Sequence, residues 1–383
     1  WGGDIDPYWM VWNLGVGGLL VAVCVLLLGF VIQRWREHEI RVTELSDLLK
    51  KMFGRYLSTE VMNSLLENPA ALELGGEKRS VTIMMTDLRG FTALSEGLAP
   101  EQVVQMLNAY FEVMVEVILE YHGTINQIIG DALLVVFGAP QEMTDRAQRA
   151  VACAIAMQNA MAEVNERNRE EGLPELEMGI GLNEAEVIVG NIGSSKRSNY
   201  SVVGSGVNLA SRIESYTVGG QILISESVRR QAGEALRIDD RMEILPKGAD
   251  APLQVFEVGG IGGRYNLVLP DREAGLTALA REIPVRLTVL EGKHVGRGEQ
   301  KGVLVRLSRK SGELRVGSPL DPLTNLKLNL DVANRNLSEK DFYGKVELRS
   351  DLGPGFCRVR FSALPPRIEA YFQAALDLGA VRG

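Results

Sequence analysis

The longest apolar run of the chain lies near its start. Residues 11–32 carry no charged side chain, and a 22-residue helix would span about 33 Å, enough to cross the core of a bilayer. Aspartates precede this run, whereas arginines and lysines follow it. By the positive-inside rule, the pattern predicts an extracytoplasmic remnant at 1–10, one transmembrane helix at 11–33 and a cytoplasmic location for everything after it. The predicted localisation is the inner (cell) membrane.

A heptad-like pattern follows the apolar run. Apolar residues recur at alternating three- and four-residue steps at Val42, Leu45, Leu49, Met52 and Tyr56. Such spacing is typical of a two-stranded coiled coil, although an amphipathic helix packed on its own domain has the same period. Because a predicted membrane helix precedes it, we favour a signalling helix and connector over 34–74. Since the chain starts with Trp1 rather than Met, we expect it to be a fragment.

Between residues 75 and 260, apolar β-branched runs alternate with amphipathic ones. Val81–Thr86 predicts a strand, the run from Pro100 to Gly123 predicts a helix, and the turn at Asp131 predicts a hairpin. Further strands are predicted at Glu177–Leu182 and Glu186–Val189. Because strands and helices interleave without a clean βαβ repeat, we expect an α+β fold with helices packed on a mixed sheet.

The last third of the chain has a different pattern. Residues 261–274 are rich in glycine and proline and predict a linker. Short strands of alternating polarity fill 275–383 and end in an apolar helix, which predicts a small β-barrel domain.

Charge and cysteine content narrow the function classes. The formal net charge of −8 over 383 residues argues against a nucleic-acid-binding protein. The three cysteines and three histidines are scattered without CxxC spacing, so a disulfide framework, a structural zinc site and a histidine-based metal site have little support. No GxxxxGK[ST] phosphate loop occurs, which disfavours a P-loop kinase or ATPase.

Two aspartates mark the ends of predicted strands. Asp87 follows the run Val81–Thr86, and Asp131 lies in the predicted hairpin turn. If both strand ends lie side by side in one sheet, the two carboxylates could hold two divalent cations about 3.5–4 Å apart that clamp a phosphoryl group. Aspartate is also a common turn residue, so a structural role for Asp131 stays open at this point.

Several separated motifs resemble a known family. The segments VTIMMTDLRGFTALSE, INQIIGDALLVVFG and NYSVVGSGVNLASRIES occur in this order. From about Leu74 to Gly260 the chain resembles the catalytic core of the class III nucleotidyl cyclases, which make cyclic AMP or cyclic GMP. The resemblance implies a ferredoxin-like, palm-type domain at 75–260. It also implies a phosphorus-oxygen lyase that converts ATP to cyclic AMP and pyrophosphate, working as a homodimer with its active sites at the subunit interface.

The resemblance also assigns roles to residues. It places two Mg²⁺ or Mn²⁺ ions against Asp87, Asp131 and Leu88. It makes Asn208 and Arg212 the catalytic pair, with the amide orienting the ribose and the guanidinium meeting charge that develops on the α-phosphate. The segment after the first acid would cradle the phosphates through Arg89, Gly90, Phe91 and Thr92, although Phe91 is better explained as a packing residue. Lys247 matches a lysine that contacts the triphosphate.

Base recognition is where the chain departs from the family pattern. Adenylyl cyclases commonly carry a lysine where this chain has Gln127, and an aspartate or threonine where it has Ser201. Guanylyl cyclases tend to carry glutamate and cysteine there. Since an amide and a hydroxyl can each donate or accept a hydrogen bond, either purine could be accommodated. The Tyr200-Ser201 context favours ATP, with GTP or dual specificity as the alternative.

The sequence also allows a catalytically silent module and a cyclic di-GMP receptor to be considered. A catalytically silent regulatory module with the cyclase fold would be expected to lack one of Asp87, Asp131, Asn208 or Arg212, and all four are present. The C-terminal domain is similar to PilZ domains, which often bind cyclic di-GMP. Its arginines Arg281 and Arg286 are one residue too far apart for the binding motif, and Arg306–Gly312 lacks the acid of the second motif. We therefore favour a structural or dimer-coupling barrel over a cyclic di-GMP receptor.

Overall fold

The computed structural model describes residues 26–44, 74–194, 196–244, 252–270, 275–291, 294–331, 340–347, 352–353 and 355–380. The chain divides into two compact units, Trp1–Glu67 and Asn68–Gly383. The predictions for residues 1–25 and 45–73, and the site prediction for Lys247, lie outside the described residues.

In the first unit, residues 26–44 form one continuous helix, α1, whose side chains are exposed along its whole length. It runs through the end of the predicted membrane segment into the predicted signalling helix without a break. Within the described part of the chain, only Pro100–Glu120, in the second unit, is long and apolar enough to cross a membrane. Five of its side chains, Met106, Tyr110, Val113, Met114 and Ile118, are buried within that unit, so core packing explains its apolar character.

The second unit begins with an α+β region. Its elements in chain order are β1 (Gly75–Leu88), α2 (Phe91–Ser95), α3 (Pro100–Glu120), β2 (Thr124–Ile129), β3 (Ala132–Phe137), α4 (Arg146–Glu170), β4 (Met178–Ser194), β5 (Arg197–Val203), α5 (Ser205–Ser215), β6 (Ile222–Ser225), α6 (Glu226–Ala232), a 3₁₀ turn (Gly233–Ala235), β7 (Leu236–Ile244), β8 (Leu253–Ile261) and β9 (Leu267–Val268).

These strands form one mixed sheet in the order β2-β3-β1-β4-β6-β8-β7, with β5 paired to β4 and β9 paired to β8. Only β4 and β6 run parallel among the described pairs, which confirms the predicted mixed sheet. The long strand β1 divides the interior into two layers. Met84 and Leu88 pack with α3 and α4 in the larger core, whereas Val81 and Ile83 pack on the other face with Ala210 of α5.

Two predicted boundaries differ in the structure. The separate strands predicted at 177–182 and 186–189 are a single strand, β4. Asn183 and Glu184 interrupt its apolar pattern, but Asn183 donates to the Gly206 carbonyl and Glu184 pairs with Arg146, so both polar residues are satisfied inside the strand. Part of the stretch predicted as a linker also joins the sheet, because β9 pairs with the end of β8.

The rest of the second unit is a closed six-stranded barrel, which confirms the predicted small β-barrel. Its elements are β10 (Thr277–Glu291), β11 (His294–Leu307), β12 (Ser311–Val316), β13 (Asn325–Leu330), β14 (Asp341–Val346), β15 (Phe356–Ala363) and the helix α7 (Pro366–Ala380). The strands close in the order β10-β11-β12-β15-β14-β13. Phe342, Phe361 and Phe372 meet inside with ring centroids 5.5–5.6 Å apart, so α7 contributes to the barrel core.

Ion pairs join the barrel to the mixed sheet at Glu177, just before β4. Glu177 Oε1 lies 2.8 Å from Lys310 Nζ and 3.2 Å from Arg360 Nη2. Burial alone would raise the pKa of the Glu177 carboxyl, but Arg360 and Lys310 lower that pKa overall. A carboxyl whose pKa is lowered by folding stabilises the fold above its unfolded pKa, and this contribution is lost as the pH falls through the folded pKa.

The substitution Glu177→Gln tests this contact. At neutral pH it should reduce the free energy of unfolding by about 1–3 kcal/mol, because the buried Arg360 and the exposed Lys310 lose their anion. The difference from the wild type should shrink as the pH falls below 4.5, the ordinary pKa of glutamate. Thermal unfolding of both full-length chains across a pH series measures this. Glu369→Gln, which removes an exposed partner of Arg309, serves as the control, and a pH-independent difference for Glu177→Gln would contradict the assignment.

Candidate active site

The two aspartates singled out in the sequence meet at one end of the sheet. Asp87 is the penultimate residue of β1, and β1 pairs directly with β3, Thr86 lying opposite Leu133. Asp131 occupies the turn between β2 and β3, next to Gly130, whose φ of 65° favours glycine. The Leu88 amide donates to Asp131 Oδ2 at 3.3 Å. The strand ends therefore lie side by side in one sheet, as two carboxylates that share a cation site require.

The electrostatic surroundings of Asp87 suit a cation. Burial raises the pKa of Asp87 to about 7, with Arg89 opposing the rise and the neighbouring carboxylates of Glu214 and Asp131 adding to it. Two adjacent carboxylates supply the hard oxygen ligands that Mg²⁺ and Mn²⁺ prefer. Within the described residues, no cluster of three or more His, Cys, Asp or Glu side chains could hold a metal ion. Asp87 and Asp131 would thus be the side-chain ligands, beside main-chain oxygens such as that of Leu88.

Arg89 ties the end of β1 to helix α5. Its Nη2 donates to Asp87 Oδ2 at 2.6 Å and also to Glu214 Oε1, and its Nη1 lies 3.5 Å from the Thr217 carbonyl. Its main-chain N–H donates to the Glu177 carbonyl at 2.7 Å. The residue assigned by resemblance to phosphate binding therefore pairs here with protein carboxylates.

The sequence analysis did not single out Glu214. Its side chain is almost fully buried on α5, two residues after Arg212, and burial raises its pKa while Arg89 opposes the rise. A charged residue on the buried face of a short helix is the only local signal that could have drawn attention to it, because its partner Arg89 lies 125 positions away in the chain.

The segment after Asp87 turns sharply into α2. Gly90 has φ 70° and precedes the first residue of this helix, a left-handed conformation that glycine adopts without strain. Phe91 is 8% exposed and belongs to the larger core, in agreement with its interpretation as a packing residue, whereas Thr92 is exposed.

Helix α5 presents Asn208 and Arg212 away from the sheet. The helix buries Gly206, Ala210, Ile213 and Glu214, and Asn208 and Arg212 are exposed. Neither side chain forms a hydrogen bond or ion pair with any other residue that the structure describes. The pair thus faces outward, while Glu214 on the same helix reaches inward toward Asp87 through Arg89.

The close packing of α5 on β4 depends on a glycine. A Cβ atom at Gly181 would overlap the main-chain nitrogen and Cα of Glu214. No side chain other than hydrogen therefore allows the helix to approach the strand at this depth.

The two residues predicted to recognise the base lie near a contact between strands β2 and β5. The Asn126 side chain donates to the Tyr200 carbonyl at 2.9 Å, and Gln127 and Ser201 are each the next residue in the chain. Gln127 is exposed and Ser201 is partly buried. The structure therefore brings these two positions into one neighbourhood although 74 residues separate them in the sequence.

Comparison with known proteins identifies the domain. Residues 76–258 match the family described as the adenylate and guanylate cyclase catalytic domain. The crystal structure of the guanylyl cyclase Cya2 is 51% identical to this chain, with a TM-score of 0.51, and the match covers 51% of this chain and 100% of that one. The chain belongs to the class III adenylate and guanylate cyclase family. The family match ends before the C-terminal barrel.

Two bacterial adenylate cyclases are also similar to it. Adenylate cyclase 1 of Rhizobium meliloti (strain 1021) is 32% identical over 228 residues, which are 59% of this chain and 34% of that protein. The adenylate cyclase of Anabaena cylindrica is 36% identical over 198 residues, which are 49% of this chain and 38% of that protein. The chain thus spans little more than a third of the length of these cyclases.

Gly181→Ala tests the close packing beneath the site. The added methyl group should push α5 away from β4 and lower the free energy of unfolding by about 1–3 kcal/mol, as overpacking does. Gly275→Ala is the matched control, since a Cβ there meets nothing within 4 Å. Denaturant unfolding of the two variants measures the difference, and equal stabilities would show that the helix can move away from the strand at little cost.

Proposed function

We propose that this chain is a class III adenylate cyclase that converts ATP to cyclic AMP and pyrophosphate. The observation that carries the proposal is the placement of Asp87 and Asp131 side by side at the ends of β1 and the β2-β3 hairpin. Bound Mg²⁺ or Mn²⁺ would lower the pKa of the ribose 3′-hydroxyl and hold the triphosphate for in-line attack on the α-phosphate. Asp87, Asp131 and the Leu88 carbonyl are the groups that would hold these ions.

The proposed roles of Asn208 and Arg212 require a second subunit. Both project from the outward face of α5, so a homodimer would bring them to the carboxylates of a partner chain. There the amide would orient the ribose, and the guanidinium would stabilise charge on the α-phosphate. Exposed apolar side chains support a homodimer surface, since Ile128 and Ile129 of β2 are 50% and 46% exposed and Val203 of β5 is 51% exposed.

GTP is the second candidate substrate. The names of the Rhizobium and Anabaena relatives and the Tyr200-Ser201 context favour ATP. The 51% identity to a guanylyl cyclase favours GTP, whereas the Gln127 amide can donate or accept toward either purine and favours neither. The phosphate-handling residues serve both nucleotides alike, so only the base distinguishes them.

We further propose that α1 begins within a transmembrane helix at 11–33 and continues from it into the cytoplasm. In support, its first turns expose Leu26, Leu27 and Leu28 by 72%, 59% and 63%, and basic residues follow in the sequence. In this proposal the catalytic domain lies in the cytoplasm and the barrel serves as a structural or coupling domain rather than a cyclic di-GMP receptor.

An assay with ATP and GTP in competition tests both activity and substrate. The full chain in membrane vesicles should form cyclic AMP in excess over cyclic GMP with Mg²⁺ or Mn²⁺, and EDTA should abolish the reaction. Asp87→Asn is the control that removes one metal-binding carboxylate. Absence of product from both nucleotides would refute the enzyme proposal, and predominance of cyclic GMP would establish the second candidate.

Co-expression of two inactive variants tests the shared site. Asp87→Ala and Arg212→Ala chains should each be inactive, whereas together they should recover about a quarter of wild-type activity, because half of randomly paired dimers contain one intact site out of two. Co-expression of Asp87→Ala with Asp131→Ala is the matched control and should stay inactive, since both lesions lie in the same half of the site. Equal results in the two mixtures would refute a site formed between subunits.

A further inference from the structure

A lysine of the C-terminal barrel reaches the end of the helix that carries Asn208 and Arg212. Lys345 of β14 is only 5% exposed. Its Nζ donates to the Ser215 carbonyl at 2.5 Å and to the Thr217 carbonyl at 3.2 Å. The last carbonyls of a helix have no partner within the helix, and a basic group there both satisfies them and complements the helix dipole. Lys345 thus acts as a C-terminal cap for α5 supplied by another domain.

The barrel makes a second contact close to the first. Lys310 and Arg360 pair with Glu177, whose main-chain carbonyl accepts the Arg89 N–H. The Thr217 carbonyl that Lys345 contacts also lies 3.5 Å from Arg89 Nη1. The barrel therefore contacts Glu177 and Thr217, and the main-chain carbonyl of each accepts a hydrogen bond from Arg89, the residue that links Asp87 to α5.

The barrel cations at this contact differ from those elsewhere on the barrel. Arg315 pairs with Glu282 and Lys327 pairs with Asp341, in both cases within the barrel and partly in solvent. Lys345, Lys310 and Arg360 instead contact the catalytic domain, and two of the three are buried there. A buried amine costs free energy unless it is hydrogen-bonded, so this placement commits Lys345 to the carbonyls of Ser215, the last residue of α5, and of Thr217, two residues beyond it.

We propose that the barrel is part of the positioning machinery of the cyclase, with Lys345 fixing the C-terminal end of α5 so that Asn208 and Arg212 are presented to the partner subunit at a set position. Lys345 is a positioning residue, because it acts through main-chain carbonyls of the helix and contacts no reacting group. The inference rests on the proposed cyclase activity. The inference predicts that the catalytic rate depends on the position of the barrel against the catalytic domain.

Kinetics of Lys345→Met in the full chain test this inference. Loss of the cap should lower kcat about tenfold while KM for the nucleotide changes less than about twofold, because the transition-state pair is misplaced and ground-state binding is kept. Lys345→Arg should recover part of kcat, since it keeps a side-chain donor that can reach the two carbonyls. Lys327→Met is the matched control and should leave both parameters unchanged. A kcat for Lys345→Met that equals or exceeds the wild-type value would overturn the proposal.

Hydrogen exchange provides a readout that does not depend on activity. The Tyr216 and Thr217 amides donate to the Ile213 and Glu214 carbonyls, and they should exchange faster in Lys345→Met than in the wild type or Lys327→Met. Unchanged exchange would refute the cap. An inactive wild-type chain would refute the proposed function, and the exchange comparison would still decide whether Lys345 holds the helix end. If Lys345→Met does not fold, Lys345→Gln, which keeps a donor without the charge, takes its place in both measurements.

Discussion

The packing of α5 against the end of β1, bridged by Arg89, is the constraint on which the site depends. The carboxylates of Asp87 and Glu214 both accept from this guanidinium, and the negative charge of Asp131 acts on both of them. Removing charges from water is costly unless they are paired, and Arg89 pairs directly with only two of these three acids. Burial and this surplus of negative charge together raise the pKa of Asp87 to about 7. A divalent cation between Asp87 and Asp131 would offset this negative charge.

Local patterns in the sequence were sufficient to predict that Asp87 and Asp131 lie at the ends of strands. The β-branched run before Asp87 predicted a strand, and the glycine before Asp131 predicted a tight turn. Both are properties of neighbouring residues, and the antiparallel pairing of β1 with β3 then brought the two acids together. The alternating polarity of residues 275–383 predicted the barrel for the same reason, since each strand shows one face to a common interior.

The remaining contacts could not be predicted from neighbouring residues, because the two partners of each contact are far apart in the chain. Arg89 and Glu214 are 125 residues apart, and Lys345 lies 130 residues from Ser215. Nothing in the residues around Lys345 distinguishes it from Lys327 on a neighbouring strand, although one is buried against the catalytic domain and the other pairs with Asp341 within the barrel. The choice between adenine and guanine could not be predicted from the sequence for another reason. One fold serves adenylate and guanylate cyclases, so specificity depends on a few side chains such as Gln127 and Ser201.

The length of β1 has a mechanical consequence. Its 14 residues pair with β4 from Gly75 to Leu88 without interruption, a distance of about 45 Å at the usual rise of a strand. The strand begins at Gly75 and ends one residue after Asp87, the proposed metal ligand. Because every residue of the strand is paired with β4, a displacement or rotation of the chain just before Gly75 would be transmitted along the strand to Asp87.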